Sequence, residues 1–202
     1  MKVDKTTIVF SVVIAAVSVG LFFLFYPSYT SSTVGAKYGK SDISKEMARL
    51  AVLSSEEKIS TDDLSGLREM LKGDSSAEHE LEEVGKLIQY GEYRHATHTL
   101  AFLDSYVETG KETICPGHEL AHYYVWKKHG EDDMADEALE EAKEQMDEWQ
   151  EKAKSYYERY PGEFTFDYIL GKIRGHLDSI EGGNTATTKE EITFLAEKSV
   201  CV

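Results

Sequence analysis

Across residues 42–199 apolar side chains recur at intervals of three and four, and no segment alternates apolar with polar residues for the length of a strand. That period puts one apolar stripe on each segment's helical face. It predicts helices at 42–54, 61–72, 76–90, 92–109, 116–129, 132–160, 164–181 and 188–199, and therefore an all-α fold. Pro27, Pro116 and Pro161 stand where a helix can begin or end. Thr61 before Asp62-Asp63 and Thr188 before Glu190-Glu191 read as N-caps with acidic first turns, which complement the exposed N–H groups there. Gly73 and the pair Gly182-Gly183 read as helix stops.

Two stretches have patterns of their own. Residues 132–160 carry Ala135, Leu139, Ala142, Met146, Trp149, Ala153, Tyr156 and Tyr160 in strict four-three alternation, a coiled-coil-like seam that needs a partner helix. With one such helix in the chain, the partner is expected within the same domain. Residues 8–26 form an almost unbroken apolar run of 19, and no charged residue lies between Lys5 and Lys37. That length crosses a hydrocarbon core of about 30 Å as a helix, and it exceeds the apolar centre of a cleaved signal, about 7–15 residues. The organisation expected is a tail and transmembrane signal-anchor at 1–28, a polar linker at 29–41 and a helical domain at 42–202. Lysines flank the run almost evenly, so the positive-inside rule does not orient it. A short N-terminal tail usually stays in the cytoplasm, which places the domain outside.

Charge narrows the function classes. Beyond residue 36 the chain has 20 Lys and Arg against 36 Asp and Glu. An acidic surface of this size repels phosphate backbones and anionic lipid headgroups, so nucleic acid is not an expected partner. Its ordinary role is solubility. Cys115 and Cys201 are too few for a disulfide-dense scaffold. They either pair, pinning the C-terminal residues to the start of a central helix, or remain two buried thiols; spacing does not decide between these.

An internal repeat is the most informative feature. Residues 79–103 (HELEEVGKLIQYGEYRHATHTLAFL) align without gaps to 118–142 (HELAHYYVWKKHGEDDMADEALEEA), an offset of 39, with seven of 25 positions identical. Each unit reads as helix, glycine turn, helix, with alanine at the close crossing. The turn glycine and its acidic follower (Gly91-Glu92, Gly130-Glu131), the small residue five on (Ala96, Ala135) and the leucine four further (Leu100, Leu139) resemble the tetratricopeptide repeat over about 79–142. Val84 and Tyr123 depart from it where the family has a small residue, and the period is five residues longer. The resemblance implies helical hairpins stacked in file that bind another protein. Residues 164–181 and 188–199 would form a third or capping hairpin.

Two motifs bear on chemistry. His118-Glu119-Leu120-Ala121-His122 fits H-E-x-x-H and resembles the zincin metallopeptidases, which implies zinc on His118 and His122 with Glu119 activating water. Pro116-Gly117 puts the motif in a helix's first turn, where a histidine is expected at the surface, and no third-ligand element follows. Cys115, His118 and His122 also share one helical face, a donor set suited to zinc or copper. An antiparallel fold-back about residues 112–113 would set His122 opposite Leu103 and leave His95 about 12 Å further along. The aromatic run Tyr156, Tyr157, Tyr160, Phe164, Phe166 and Tyr168 around Pro161-Gly162 reads as corner packing or as a partner surface. The expected function is a non-enzymatic, membrane-anchored accessory subunit that binds another protein of a membrane complex. A tethered zinc peptidase is the alternative.

Overall fold

The computed structural model describes residues 38–202, and the apolar run at 8–26 lies outside the described residues. Among the described residues the chain is all-helical, and no helix there is long and apolar enough to cross a membrane. The elements are α1 (Lys40–Ser55), a 3₁₀ turn (Thr61–Leu64) running into α2 (Ser65–Leu71), α3 (Ser75–Gln89), α4 (Tyr93–Thr109), α5 (Pro116–His129), α6 (Asp132–Arg159), α7 (Phe166–Glu181) and α8 (Lys189–Lys198).

Several helix starts follow from local chemistry. Asp74 accepts the amide of Ala77 at 3.1 Å to open α3, and Thr188 with Glu191 forms a capping box at α8. The cap expected at Thr61 belongs to Ser60 instead. Asp63 accepts both the Ser60 amide and its hydroxyl, which tightens the first turn to 3₁₀ and moves the α-helix start to Ser65. Gly91 and Gly130 close the α3–α4 and α5–α6 turns with φ of +73° and +77°, a conformation that costs a residue with a Cβ. Ala96 and Ala135 are fully buried at the two crossings.

Backbone pairing is tight within each hairpin, α3 with α4 and α5 with α6, while α1 lies on α4 and α8 on α5. The hairpins meet each other through side chains, and they do so reciprocally. The Tyr90 hydroxyl donates to Glu131, and the repeat counterparts of that pair, His129 and Glu92, meet at 3.3 Å. His98 lies beside His118 with ring centroids 6.2 Å apart, and their counterparts Glu137 and His79 approach to 3.8 Å. Tyr90 and His129, counterparts of each other, stack at 4.2 Å with planes 7° apart. Contacts of i with j′ and of j with i′ define a two-fold relation. An approximate two-fold axis therefore passes between Tyr90 and His129, and α3, α4, α5 and α6 form an up-down-up-down ring. Units in file, as the repeat resemblance implies, would instead set the front of one against the back of the next.

The α6 seam divides in two. Ala135, Ala142, Met146, Trp149 and Ala153 are buried, with Ala138 beside them, whereas Tyr156 and Tyr160 emerge where α6 outruns its neighbours. α8 leaves α7 and packs against α5, so the last two helices do not repeat the earlier hairpins. Beyond α8 the chain doubles back. Ile114 and Val202 exchange two backbone hydrogen bonds (2.9 and 3.0 Å), the Trp149 indole donates to the Val200 carbonyl at 2.7 Å, and Cys201 is bonded to Cys115.

Candidate functional site

At the end of the ring away from the glycine turns, the two hairpins diverge around a cavity of about 380 Å³. Its lining follows the repeat. His79, Glu80 and Glu83 face it from α3, and their counterparts His118, Glu119 and His122 face it from α5. Phe102 and Tyr106 of α4 are likewise answered by Glu141 and Gln145 of α6. Five equivalent pairs share one space because the relating axis is two-fold. Glu112 and Glu144 complete its acidic lining, which holds neither lysine nor arginine.

Packing sets the protonation of these groups. Burial, reinforced by the charges of Glu141 and Glu112, pushes the Glu80 carboxyl up to about 7. Burial also holds Glu83 and Glu119 well above the ordinary carboxylate range, with neighbouring carboxylates adding to it; a hydrogen bond from Gln145 opposes part of the rise at Glu119. Glu141 is raised for the same reasons. The imidazoles move the other way. Burial brings His95 down to about 4 and His122 to about 3, and lowers His98 and His118. At neutral pH these histidines are uncharged, with lone pairs available.

The histidines of α4 and α5 form one cluster. Ring centroids lie 4.1 Å apart for His118 and His122, and 6.1 Å for His95 and His122, with Phe102 edge-on to His118 at 4.4 Å. The expected separation of about 12 Å between His95 and His122 is thus wrong. It assumed a tight α4–α5 hairpin, but each of those helices pairs with another neighbour and they face each other across a side-chain layer, so the loop midpoint does not set their depth. His118 and His122 are also buried, contrary to a surface position, because α4 covers their face of α5: His98 and Phe102 lie against His118, and His95 and Thr99 against His122.

Hydrogen bonding fixes one tautomer. The Thr99 hydroxyl donates to the His95 carbonyl (3.1 Å), so toward His122 Nε2, 3.3 Å away, it is an acceptor. His122 therefore carries its proton on Nε2, and its Nδ1 lone pair faces Glu83 at 3.8 Å. His118 differs: it is 1% exposed, and neither ring nitrogen has a hydrogen-bond partner. Cys115 brings no thiolate to these rings, being bonded to Cys201 with Cα atoms 4.6 Å apart. Among the described residues no three His, Cys, Asp or Glu side chains converge as a bound metal would need.

The chain matches no protein-family model, no curated protein and no solved structure with which it was compared. Sequence reasoning named His118, Glu119 and His122 but missed Glu80, Glu83, Glu141 and the α4 wall. The signal was present in the repeat alignment, which sets Glu80 and Glu83 at the same positions as Glu119 and His122.

Proposed function

We propose that this chain is a membrane-anchored helical accessory subunit that holds another protein and performs no catalysis of its own. The observation that carries this reading is the tyrosine ridge at the α6–α7 corner. Tyr156, Tyr160 and Tyr168 are 43%, 57% and 46% exposed, while Tyr157, Phe164 and Phe166 beneath them pack against the core. Rings held firm from below and open above supply contact area at little entropic cost, which is why tyrosine is enriched in interfaces. The apolar run at 8–26 would supply the tether. The Cys115–Cys201 bond supports an oxidising, extracytoplasmic surrounding for the domain. The test is purification of the full chain from membranes in mild detergent. A stoichiometric partner should accompany it and should be lost when Tyr156, Tyr160 and Tyr168 are replaced by serine, with the melting temperature unchanged. A partner that survives the triple replacement, or no stoichiometric partner, removes this reading.

One observation favours a second reading, a tethered zinc peptidase: His118, Glu119 and His122 line the same cavity, and His118 has both nitrogens free. These donors fit in part. His118 is available, but His122 turns Nε2 to Thr99 and would offer Nδ1 instead. In that reading His118 and His122 would hold a zinc ion, which would supply Lewis-acid activation of water, and Glu119 would serve as the proton acceptor. Glu119→Gln would then keep one zinc per chain and abolish peptide hydrolysis. A preparation with neither zinc nor hydrolysis excludes it.

A further inference from the structure

The cavity between the hairpins is a strongly cation-seeking space within a fold whose surface reading does not use it. Six glutamates line it, at 80, 83, 112, 119, 141 and 144, with no lysine or arginine among the lining residues. Lys86, whose charge acts on Glu83, is engaged outside it, 3.3 Å from Glu131 and 2.9 Å from the Met134 sulfur. A second, independent feature points to a ligand. His118 is buried and faces the cavity with both ring nitrogens unpaired, and an orphaned polar group inside a protein costs free energy until something satisfies it.

We propose that this cavity binds a linear aliphatic diammonium ion. Its size and chemistry favour that class over a single point charge. At about 380 Å³ it falls within the range of small-molecule sites, about 300–1,000 Å³. Phe102, Leu103 and Tyr106 give one wall apolar and aromatic surface for a methylene chain, with ring faces that attract a cation. The two-fold relation then places carboxylates on both hairpins around the space. Glu80 and Glu83 stand on α3, and Glu119, the repeat counterpart of Glu80, stands on α5, where His118 lines the same space with both ring nitrogens free. An ammonium donates up to three hydrogen bonds and accepts none, which suits a lining of carboxylate oxygens and neutral imidazole lone pairs. This inference does not depend on the tyrosine ridge.

The test is calorimetric titration of the full chain in detergent micelles with 1,4-diaminobutane, at fixed neutral pH and moderate salt. One diamine should bind per chain, and butylamine, with the same carbon chain and one charge, should bind at least about tenfold more weakly. Glu83→Gln with Glu119→Gln should weaken the diamine by more than about tenfold, while Glu140→Gln with Glu148→Gln, on the outer surface of α6, should leave it unchanged. Far-UV circular dichroism of the inner double variant should show full helicity, since its replacements remove charge without removing volume. His118→Leu should also weaken binding, by a smaller factor. Absence of diamine binding, equal affinity for the monoamine, or an inner double variant that binds as the wild type would each overturn the proposal. Stoichiometric zinc binding that blocks the diamine completely would overturn it in favour of a metal site.

Discussion

Gly117→Ala is a sensitive probe of how the start of α5 is held. A Cβ at that position would stand 1.9 Å from the Ser199 hydroxyl oxygen, 2.7 Å from the Ser199 Cβ and 2.9 Å from the Leu195 carbonyl oxygen. None of these is the loose end of a long side chain. Leu195 contributes helix backbone, and Ser199 lies two residues before Cys201, which is bonded to Cys115 two residues before Gly117. The clash must therefore lift the end of α8 from α5. Overpacking of this kind costs about 1–3 kcal/mol, and replacing a helical glycine returns up to about 1 kcal/mol. A net loss of about 1–2 kcal/mol lowers the melting temperature by about 2–4 °C per kcal/mol in a chain of this size. The assay is thermal unfolding of the full chain in detergent, followed by far-UV circular dichroism. Ser199→Gly removes two of the three contacts, and the Ser199 hydroxyl is itself buried without a partner. Introduced into Ser199→Gly, the alanine should cost less than half of what it costs in the wild type. An alanine variant that melts with the wild type, or an identical loss whichever residue occupies 199, would refute the close-packing argument.

The Cys115–Cys201 bond closes a sequence separation of 86 residues, for which chain entropy sets a contribution of about 4–5 kcal/mol; Cys201→Ser should lower the melting temperature, reducing agent should shift the wild type to the same value, and it should leave the variant unmoved. Stability should also fall as pH rises from 6.5 to 8. Glu80 titrates near 7 when folded against an ordinary 4.5, and Glu83 and Glu119 are raised too, so the folded state retains protons that the unfolded chain releases. Their stabilisation is complete below the unfolded value and is lost as pH climbs through the folded ones, by up to about 1.4 kcal/mol per pH unit for each group. His95 and His122, titrating near 4 and 3, contribute in the opposite sense, losing stability only as pH falls below about 6.5. Melting temperatures compared at pH 6.5 and 8 check this, and Glu80→Gln with Glu119→Gln should flatten the slope; a wild-type rise would contradict it.

The helices were legible because their signals are local. Apolar period, the glycines at 91 and 130 and the Thr188 cap all act within one or two turns, and predicted boundaries lie within about two residues for most elements. The histidine cluster was half legible: spacing put His118 and His122 on one face, but their relation to His95 and His98 depends on which helices pair, a choice that the loop at 110–115 does not encode. Tyr156 and Tyr160 follow the seven-residue seam as faithfully as Trp149, yet they are exposed, because α6 is longer than the helices available to cover it. Sequence period states which face a residue occupies. It does not state whether a neighbour reaches that far along.

The acidic cavity follows from the duplication in a way that also explains its asymmetry. When two copies of a unit face each other across a two-fold axis, any charged position near the axis meets its own counterpart, so a glutamate conserved between the copies is brought toward another glutamate. Glu80 and Glu119 are such a pair; both titrate high chiefly because they are buried, and the charge of Glu141 adds to the rise at each, with Glu112 acting on Glu80 and Glu83 and Glu80 acting on Glu119. Identical copies would double the repulsion at every inward position. Here the counterparts diverge at three of the five: His122 stands against Glu83, Phe102 against Glu141, and Tyr106 against Gln145. Each divergence puts a neutral side chain in one copy where the other has an acidic or amide one. The result is an apolar wall on α4, an acidic wall on α6 and mixed donors on α3 and α5. Repulsion is thereby reduced without being abolished, and what remains is relieved by a proton at low pH or by a cation that enters the space.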